Sequence, residues 1–188
     1  RVRTMAKTGT QVSKAATSPR RVMFYSHDTF GLGHLRRSRA LATAITAGDD
    51  EASAIILTGS PVAGRFTFPE RVDHIRLPGV TKLSDGSYVS QTLGMDIEKT
   101  TALRAGLIQT AVEQYEPDLL IVDKEPTGFR GELLPSLEWI KANRDTKLVL
   151  GLRPEMITQS SIAASGQVVP CEIDVTEATG ADTLCVLT

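Results

Sequence analysis

The sequence predicts an α/β fold, a doubly wound parallel sheet with a short β tail. Short apolar runs alternate with longer amphipathic segments between residues 21 and 150, as in proteins whose parallel strands are connected by helices. The 188 residues are 41% hydrophobic and 23% charged, which is the composition of a globular protein with a substantial core. Five strands are predicted, at residues 22–25, 54–57, 72–77, 118–122 and 147–150.

The first strand leads through a glycine turn into a helix. Residues 22–25 have the length and composition of a buried strand, and Leu35, Leu41 and Ile45 share one face of the helical segment that follows. In an open α/β sheet the ligand site lies beyond the carboxyl ends of the strands, where helix N-termini point. The turn G-L-G-H at residues 31–34 is therefore the first candidate site.

This turn has features of an anion site. Gly31 and Gly33 allow a ligand to come close to the main chain, and the free N–H groups of a helix start favour a phosphate. Arg36 and Arg37 add positive charge. The motif lacks the third glycine of a dinucleotide fingerprint and the Lys-Ser/Thr of a P-loop, so a plain tight turn into a surface helix is an equal alternative.

His34, at the start of the helix, favours a functional site over a plain turn. A histidine at the mouth of a glycine turn is well placed to move protons near neutral pH, and His27 and Asp28 end the preceding strand. A structural or solvated histidine is the alternative.

Further polar residues follow the carboxyl ends of other strands. Ser60 follows the second strand, and Asp123, Lys124 and Glu125 follow the fourth. Because the carboxyl ends of parallel strands meet at one edge of a sheet, we predict that His34 and Asp123 lie near the same edge. The alternative for the three charged residues is a local ion pair on the surface.

The segments between the strands carry weaker signals. Residues 81–94 are predicted as a polar loop from which Lys82 could reach a ligand, although a solvated lysine fits equally well. Residues 97–115 and 131–143 are predicted helices. The side chains predicted to face the core from the longer helix are Ile97, Leu103, Leu107, Ile108, Ala111, Val112 and Tyr115.

Composition narrows the classes of function. Residues 1–20 are basic and rich in Ser and Thr, with no apolar stretch, which predicts a disordered leader rather than a secretory signal. The net charge of −1 gives no general attraction to nucleic acid, and no apolar run is long enough for a membrane helix. Two cysteines far from any histidine do not suit a metal site. We therefore predict a cytoplasmic protein, with peripheral membrane contact and oligomeric state left open.

Four motifs between residues 21 and 153 carry a family resemblance. They are S-H-D-T-F-G-L-G-H-L-R-R-S, L-T-G-S-P-V-A-G-R-F, L-P-G-V-T-K-L-S-D-G-S-Y-V-S and L-L-I-V-D-K-E-P-T-G-F-R-G-E-L-L-P. This segment resembles the amino-terminal half of predicted bacterial GT-B glycosyltransferases, which are related to the enzyme that adds N-acetylglucosamine to lipid-linked peptidoglycan precursors. The resemblance implies a Rossmann-like domain that holds the acceptor, while a second domain binds most of the nucleotide-sugar donor.

The resemblance also implies a mechanism without a cofactor or metal. An acceptor hydroxyl must lose a proton as it attacks the anomeric carbon of the donor sugar, and His34 matches the family histidine that lies in the cleft. A purely orienting hydrogen bond from His34 is the close alternative. The residues predicted to bind the nucleotide-sugar donor or the hydroxyl acceptor are Gly31, Gly33, Arg36, Arg37, Ser60, Lys82, Asp123, Lys124 and Glu125.

The tail at residues 154–188 has a different character. Together with the preceding G-L-R, it resembles the start of the TOBE β-barrel of sugar-importing ABC-transporter ATPases, through G-L-R-P-E and G-A-D-T-L. Alternating residues on either side of a Gly-Ala turn predict a hairpin independently of any family. The absence of a P-loop sequence excludes an ATPase. A fusion or an assembly artefact at G-L-R, residues 151–153, would explain the change and leave the donor domain missing, so this chain is expected to be inactive alone. The alternative function is a non-catalytic sugar- or phosphate-binding module, or a regulatory one, linked to an ABC sugar importer.

Overall fold

The computed structural model describes residues 20–27 and 32–151, together with the backbone of two strands at residues 173–179 and 182–187. The predicted leader up to residue 19, Gly31 in the glycine turn, and the junction that follows Gly151 lie outside the described residues. None of the helices in the described part is both long and apolar enough to cross a membrane.

The chain forms an α/β structure around one five-stranded sheet. All neighbouring strands of this sheet run parallel, in the order β3-β2-β1-β6-β7. The elements are β1 Arg21–Ser26, α1 Gly33–Gly48, β2 Ser53–Thr58, β3 Val72–Arg76, β4 Val80–Lys82, β5 Tyr88–Ser90, α2 Ile97–Tyr115, β6 Leu119–Asp123, α3 Leu134–Asn143, β7 Lys147–Gly151, β8 Ile173–Thr179 and β9 Asp182–Leu187.

The direction of the strand order reverses between β1 and β6. The chain first proceeds from β1 to β2 and β3 on one side, and then returns to build β6 and β7 on the other side. Connections that leave two adjacent strands in opposite directions open a space at their carboxyl ends, which is where open α/β sheets bind ligands. In this register Tyr25 of β1 lies opposite Val122 of β6, so both strands end at the same level.

Helices cover both faces of the sheet, as the doubly wound pattern predicted. Val22 and Phe24 of β1 pack in a core shared with α1, whereas Met23 and Tyr25 pack in a core shared with α2 and α3. This alternation follows from the two-residue period of a strand. A strand buried on both faces must be apolar throughout, which is why residues 22–25 form a continuous apolar run.

The predicted core face of α2 is partly wrong. Leu103 and Leu107 are each 41% exposed, while Thr100 and Arg104 occupy buried positions with Ile108 and Val112. The buried face of α2 is thus rotated from the apolar stripe. The physical reason is a charged partner for Arg104 in the core, Glu132, which local spacing does not reveal.

The predicted loop at residues 81–94 contains regular structure. Val80–Lys82 and Tyr88–Ser90 pair as a short antiparallel ribbon, β4–β5. Polar side chains suit this ribbon because much of it is exposed. In the tail, β8 and β9 pair antiparallel in a sheet of their own, as the hairpin prediction required.

Two leucines that lie opposite each other in the register of β6 and β7 should differ in how much they contribute to stability. Leu120 of β6 is fully buried, whereas Leu148 of β7 is 52% exposed. Leu120→Ala should lower the free energy of unfolding by about 2–5 kcal/mol, because it removes buried contacts and leaves a cavity. Leu148→Ala should change it by about 0.5 kcal/mol or less. Urea denaturation of the residues 1–188 chain measures both, and equal losses would contradict this packing.

Candidate functional site

The candidate site lies at the crevice between β1 and β6. His27 directly follows β1, Asp123 is the last residue of β6, and His34 lies in the first turn of α1. All three side chains are buried, and Asp123 joins the two histidines from a segment 89 residues beyond His34. The prediction that His34 and Asp123 lie at the same sheet edge is confirmed by their direct contact.

His34 and Asp123 form a hydrogen-bonded pair. The distance between His34 Nδ1 and Asp123 Oδ2 is 2.7 Å, and about a tenth of each side chain is exposed. An ionised carboxylate can only accept hydrogen bonds, so Nδ1 must carry the proton. The neutral ring then has its lone pair on Nε2. A histidine oriented in this way can take a proton at Nε2 while the carboxylate stabilises the imidazolium.

Arg37 completes the environment of Asp123. Its Nη1 donates to both carboxylate oxygens, at 2.9 Å and 3.1 Å, from the same face of α1 that carries His34 one turn earlier. Charge-assisted bonds of this kind fix the orientation of a carboxylate. Arg37, which the sequence predicts to bind substrate, contacts the partner of His34; its role toward substrate stays a prediction.

His27 is a second histidine at the site, and its environment keeps it neutral. Its ring lies edge-on to that of His34, with 6.4 Å between centroids, and the residue is 5% exposed. Burial, followed by the nearby groups Lys124, His34 and Arg104, lowers the pKa of His27 to about 4, against the opposing effect of Asp123. At neutral pH this imidazole is therefore a hydrogen-bonding group rather than a cation.

Three buried polar atoms near the ends of β1 and β2 have no hydrogen-bond partner among the described residues. They are Ser26 Oγ, His27 Nδ1 and Ser60 Oγ. Each belongs to a residue that is 5% exposed or less. Because unpaired buried polar groups are costly, each of these atoms indicates a place for a polar ligand or for water.

A buried network beneath the site was not predicted from the sequence. Arg104 of α2 donates from Nε and Nη2 to the two carboxylate oxygens of Glu132, at 2.6 Å each, and from Nη1 to the carbonyl of Pro78 at 2.6 Å. Tyr25 donates to Glu132 at 2.7 Å and accepts from the Phe129 N–H at 2.8 Å. Burial and the Glu132 charge raise the pKa of Tyr25, so its hydroxyl keeps its proton.

The sequence did contain one indication of this network. Arg104 lies four and eight residues before Ile108 and Val112, and is therefore at a core position of the same helix. A cation at such a position requires a buried counter-charge.

Lys124 adopts an unusual backbone conformation. Its φ is +77°, in the left-handed region, where a residue with a β-carbon is strained by roughly 1–2 kcal/mol. The backbone around it is fixed, because the Lys124 N–H donates to the carbonyl of Gly151 at 2.9 Å. The side chains of Lys124 and its neighbour Glu125 are half-buried.

Three other predicted site residues, Gly33, Arg36 and Lys82, do not contact the His34–Asp123 pair among the described interactions. Gly33 begins α1 without a positive φ, and a β-carbon there would meet no described atom within 4 Å, so this glycine leaves space rather than permitting a strained turn. Arg36 is exposed one turn into the same helix. Lys82 lies 5.9 Å from the Tyr88 ring on the β4–β5 ribbon, with no contact to the His34–Asp123 pair. No group of three or more potential metal ligands occurs in the described part of the chain.

The sequence matches no protein-family model, and comparisons with curated proteins and with solved structures return no match. The resemblance to glycosyltransferases therefore stays a prediction, and function is inferred from the geometry of the site.

The neutral state of His27 predicts a pH dependence of stability. The native imidazole takes up a proton only near pH 4, whereas the unfolded one does so near 6.5. Between these values the unfolded state binds more protons, so the free energy of unfolding should fall by up to about 3 kcal/mol as the pH drops from 6.5 to 4. Urea denaturation across this range measures the slope. His27→Gln should lose most of it, and an unchanged slope in that variant would contradict the assignment.

Proposed function

We propose that residues 21–153 form the acceptor half of a GT-B-type glycosyltransferase in which His34 is the catalytic base. The observation that carries this proposal is the 2.7 Å contact between His34 Nδ1 and Asp123 Oδ2, formed by buried groups at the crevice between β1 and β6. The four family-like motifs support it, since two of them supply His34 and Asp123.

The proposed reaction uses His34 at the attacking oxygen. An acceptor hydroxyl donates its proton to Nε2 as its oxygen forms the bond to the anomeric carbon, and the bond from that carbon to the nucleoside diphosphate breaks. Asp123 stabilises the resulting imidazolium, and Arg37 keeps Asp123 in place. The leaving diphosphate carries negative charge, which the start of α1 and the exposed Arg36 favour.

A nuclear magnetic resonance experiment tests the orientation of the base in the chain itself. The protein has three histidines, so long-range ¹H–¹⁵N spectra can resolve each imidazole. His34 in its neutral form should be protonated at Nδ1. Asp123→Asn should reduce this preference, because the side-chain amide can also present a donor to the ring. Glu125→Gln is the matched control and should leave His34 unchanged. A wild-type His34 protonated at Nε2 would exclude the proposed base.

Donor binding and turnover by this chain test whether a second domain supplies most of the donor-binding energy. The start of α1 offers a helix dipole worth roughly 0.3–1 kcal/mol. A dissociation constant of 1 μM needs about 8 kcal/mol. The 188-residue chain should therefore bind nucleotide sugars more weakly than micromolar and turn them over undetectably. Calorimetry with uridine, guanosine and adenosine diphosphate sugars measures the affinity, and a micromolar dissociation constant would contradict the prediction.

The catalytic role of His34 requires a protein in which a GT-B donor domain follows residue 153. There, His34→Ala should lower kcat by about 10²–10⁴-fold, since a base acts mainly in the transition state. Donor affinity should change little. His74→Gln is the control. His74 lies in β3, where its ring stacks on that of Phe68 with 4.6 Å between centroids, and it has no contact with Asp123. Full turnover in the His34→Ala protein would contradict the assignment.

A further inference from the structure

We infer that Lys124 and His27 form an anion-binding subsite beside the His34–Asp123 pair, and that this subsite takes a phosphate group of the substrate. The inference rests on the proposed function and deepens it, because it names the chemical group that the site recognises. Its first basis is the backbone of Lys124, with φ +77°. Strained residues persist where the surrounding structure holds them, and they cluster at ligand sites.

Glycine would remove this strain, and the same segment uses glycine elsewhere. Between β6 and α3, Gly128 and Gly131 have φ values of +73° and +81°. A glycine at position 124 would adopt this backbone conformation without steric strain. Arg130 in the same segment also has a positive φ, +50°, so it is the charge around Lys124, together with its backbone, that marks the subsite.

The second basis is the charge around Lys124. Within residues 20–27 and 32–151, no carboxylate lies close enough to form an ion pair with its ammonium group. Two carboxylates flank Lys124 in the sequence. Asp123 already accepts bonds from His34 and Arg37, and Glu125 forms no ion pair with the lysine. A half-buried cation without a fixed counter-charge favours an anionic ligand.

The charge of Lys124 acts on His27. After burial, Lys124 is the largest influence that lowers the pKa of His27, followed by His34 and Arg104, whereas Asp123 raises it. The lysine ammonium therefore lies close enough to act at the position of this imidazole. An anion placed between the two side chains would be stabilised by the Lys124 charge.

The third basis is a buried nitrogen without a partner. His27 Nδ1, in a residue that is 5% exposed, has no hydrogen-bond partner among the described residues. An imidazole N–H group can donate to a phosphate oxygen, and charge-assisted bonds of this kind are the stronger ones. A phosphate beside Lys124 would thus satisfy both an unpaired charge and an unpaired donor.

Pyrophosphate binding to the 188-residue chain tests this inference. In ¹H–¹⁵N spectra, pyrophosphate should shift the signals of His27 and Lys124 saturably, with a dissociation constant of about 1 mM or lower. Uridine diphosphate and glucose 1-phosphate distinguish the source of the phosphate. Preference for the nucleotide indicates the donor, and preference for the sugar phosphate indicates a phosphorylated acceptor. The absence of a saturable shift with all three would overturn the inference.

Substitutions at Lys124 separate its charge from its backbone. Lys124→Gly should raise Tm by about 2–4 °C through loss of strain, and should weaken pyrophosphate binding about tenfold. Lys124→Asn tolerates a positive φ without the charge and should weaken binding equally, whereas Lys124→Arg should retain it. Unchanged affinity in both Lys124→Gly and Lys124→Asn would overturn the inference.

Arg130→Gly is the matched control. Arg130 is a cation in the same segment with φ +50°, and its guanidinium lies 3.4 Å from Glu98 on the surface. This variant should also become more stable but should bind pyrophosphate normally. A loss equal to that of Lys124→Gly would mean that only net charge matters, which would overturn the subsite. Transfer is measured in the protein in which a GT-B donor domain follows residue 153. There, the absence of glycosyl transfer with binding that still depends on Lys124 would refute the proposed function alone. Transfer in that protein with pyrophosphate binding unchanged by the Lys124 substitutions would refute the inference alone.

Discussion

The ion pair between Glu132 and Arg104 is the constraint on which the arrangement of the site depends. The Glu132 side chain is fully buried, and a carboxylate in that position is tolerated only with its charge and hydrogen bonds satisfied. Arg104 supplies two bonds and Tyr25 a third, so α2, β1 and the segment before α3 must meet at one point. The connection from β6 to α3 is thereby fixed at both ends, in the sheet at Asp123 and in the core at Glu132.

This fixed connection explains why a strained residue can persist at the edge of the sheet. Lys124 lies directly after β6, where pairing with β7 still holds its N–H. Relaxing its φ would displace either Asp123 or the residues that reach the buried ion pair. The same rigidity serves Asp123, whose two oxygens are shared by His34 and Arg37. The His34 ring is bonded to Asp123, and Asp123 is bonded to Arg37, so both side chains have little freedom to reorient.

The strands could be predicted from the sequence, whereas most contacts of the site could not. Parallel strands buried on both faces are continuous apolar runs, which mark their positions directly. Spacing on α2 failed at Leu103 and Leu107 because Glu132, 28 residues beyond Arg104, decides which face is buried. No local pattern contains such a pair. The predicted topology alone indicated that His34 and Asp123 lie at one edge. The contact of Arg37 with Asp123 and the backbone of Lys124 depend instead on contacts between segments that are distant in the sequence.

The His34–Asp123 bond depends on the correct register between β1 and β6. Asp123 stands one position past the pair formed by Tyr25 and Val122, so a slip of one residue would displace it by about 3.3 Å and turn it to the opposite face. A misaligned sheet could keep its helices and strands and still lack the His34–Asp123 bond. The imidazole proton in that bond is thus a spectroscopic reporter of correct assembly, able to distinguish native molecules from misfolded ones of equal helical content.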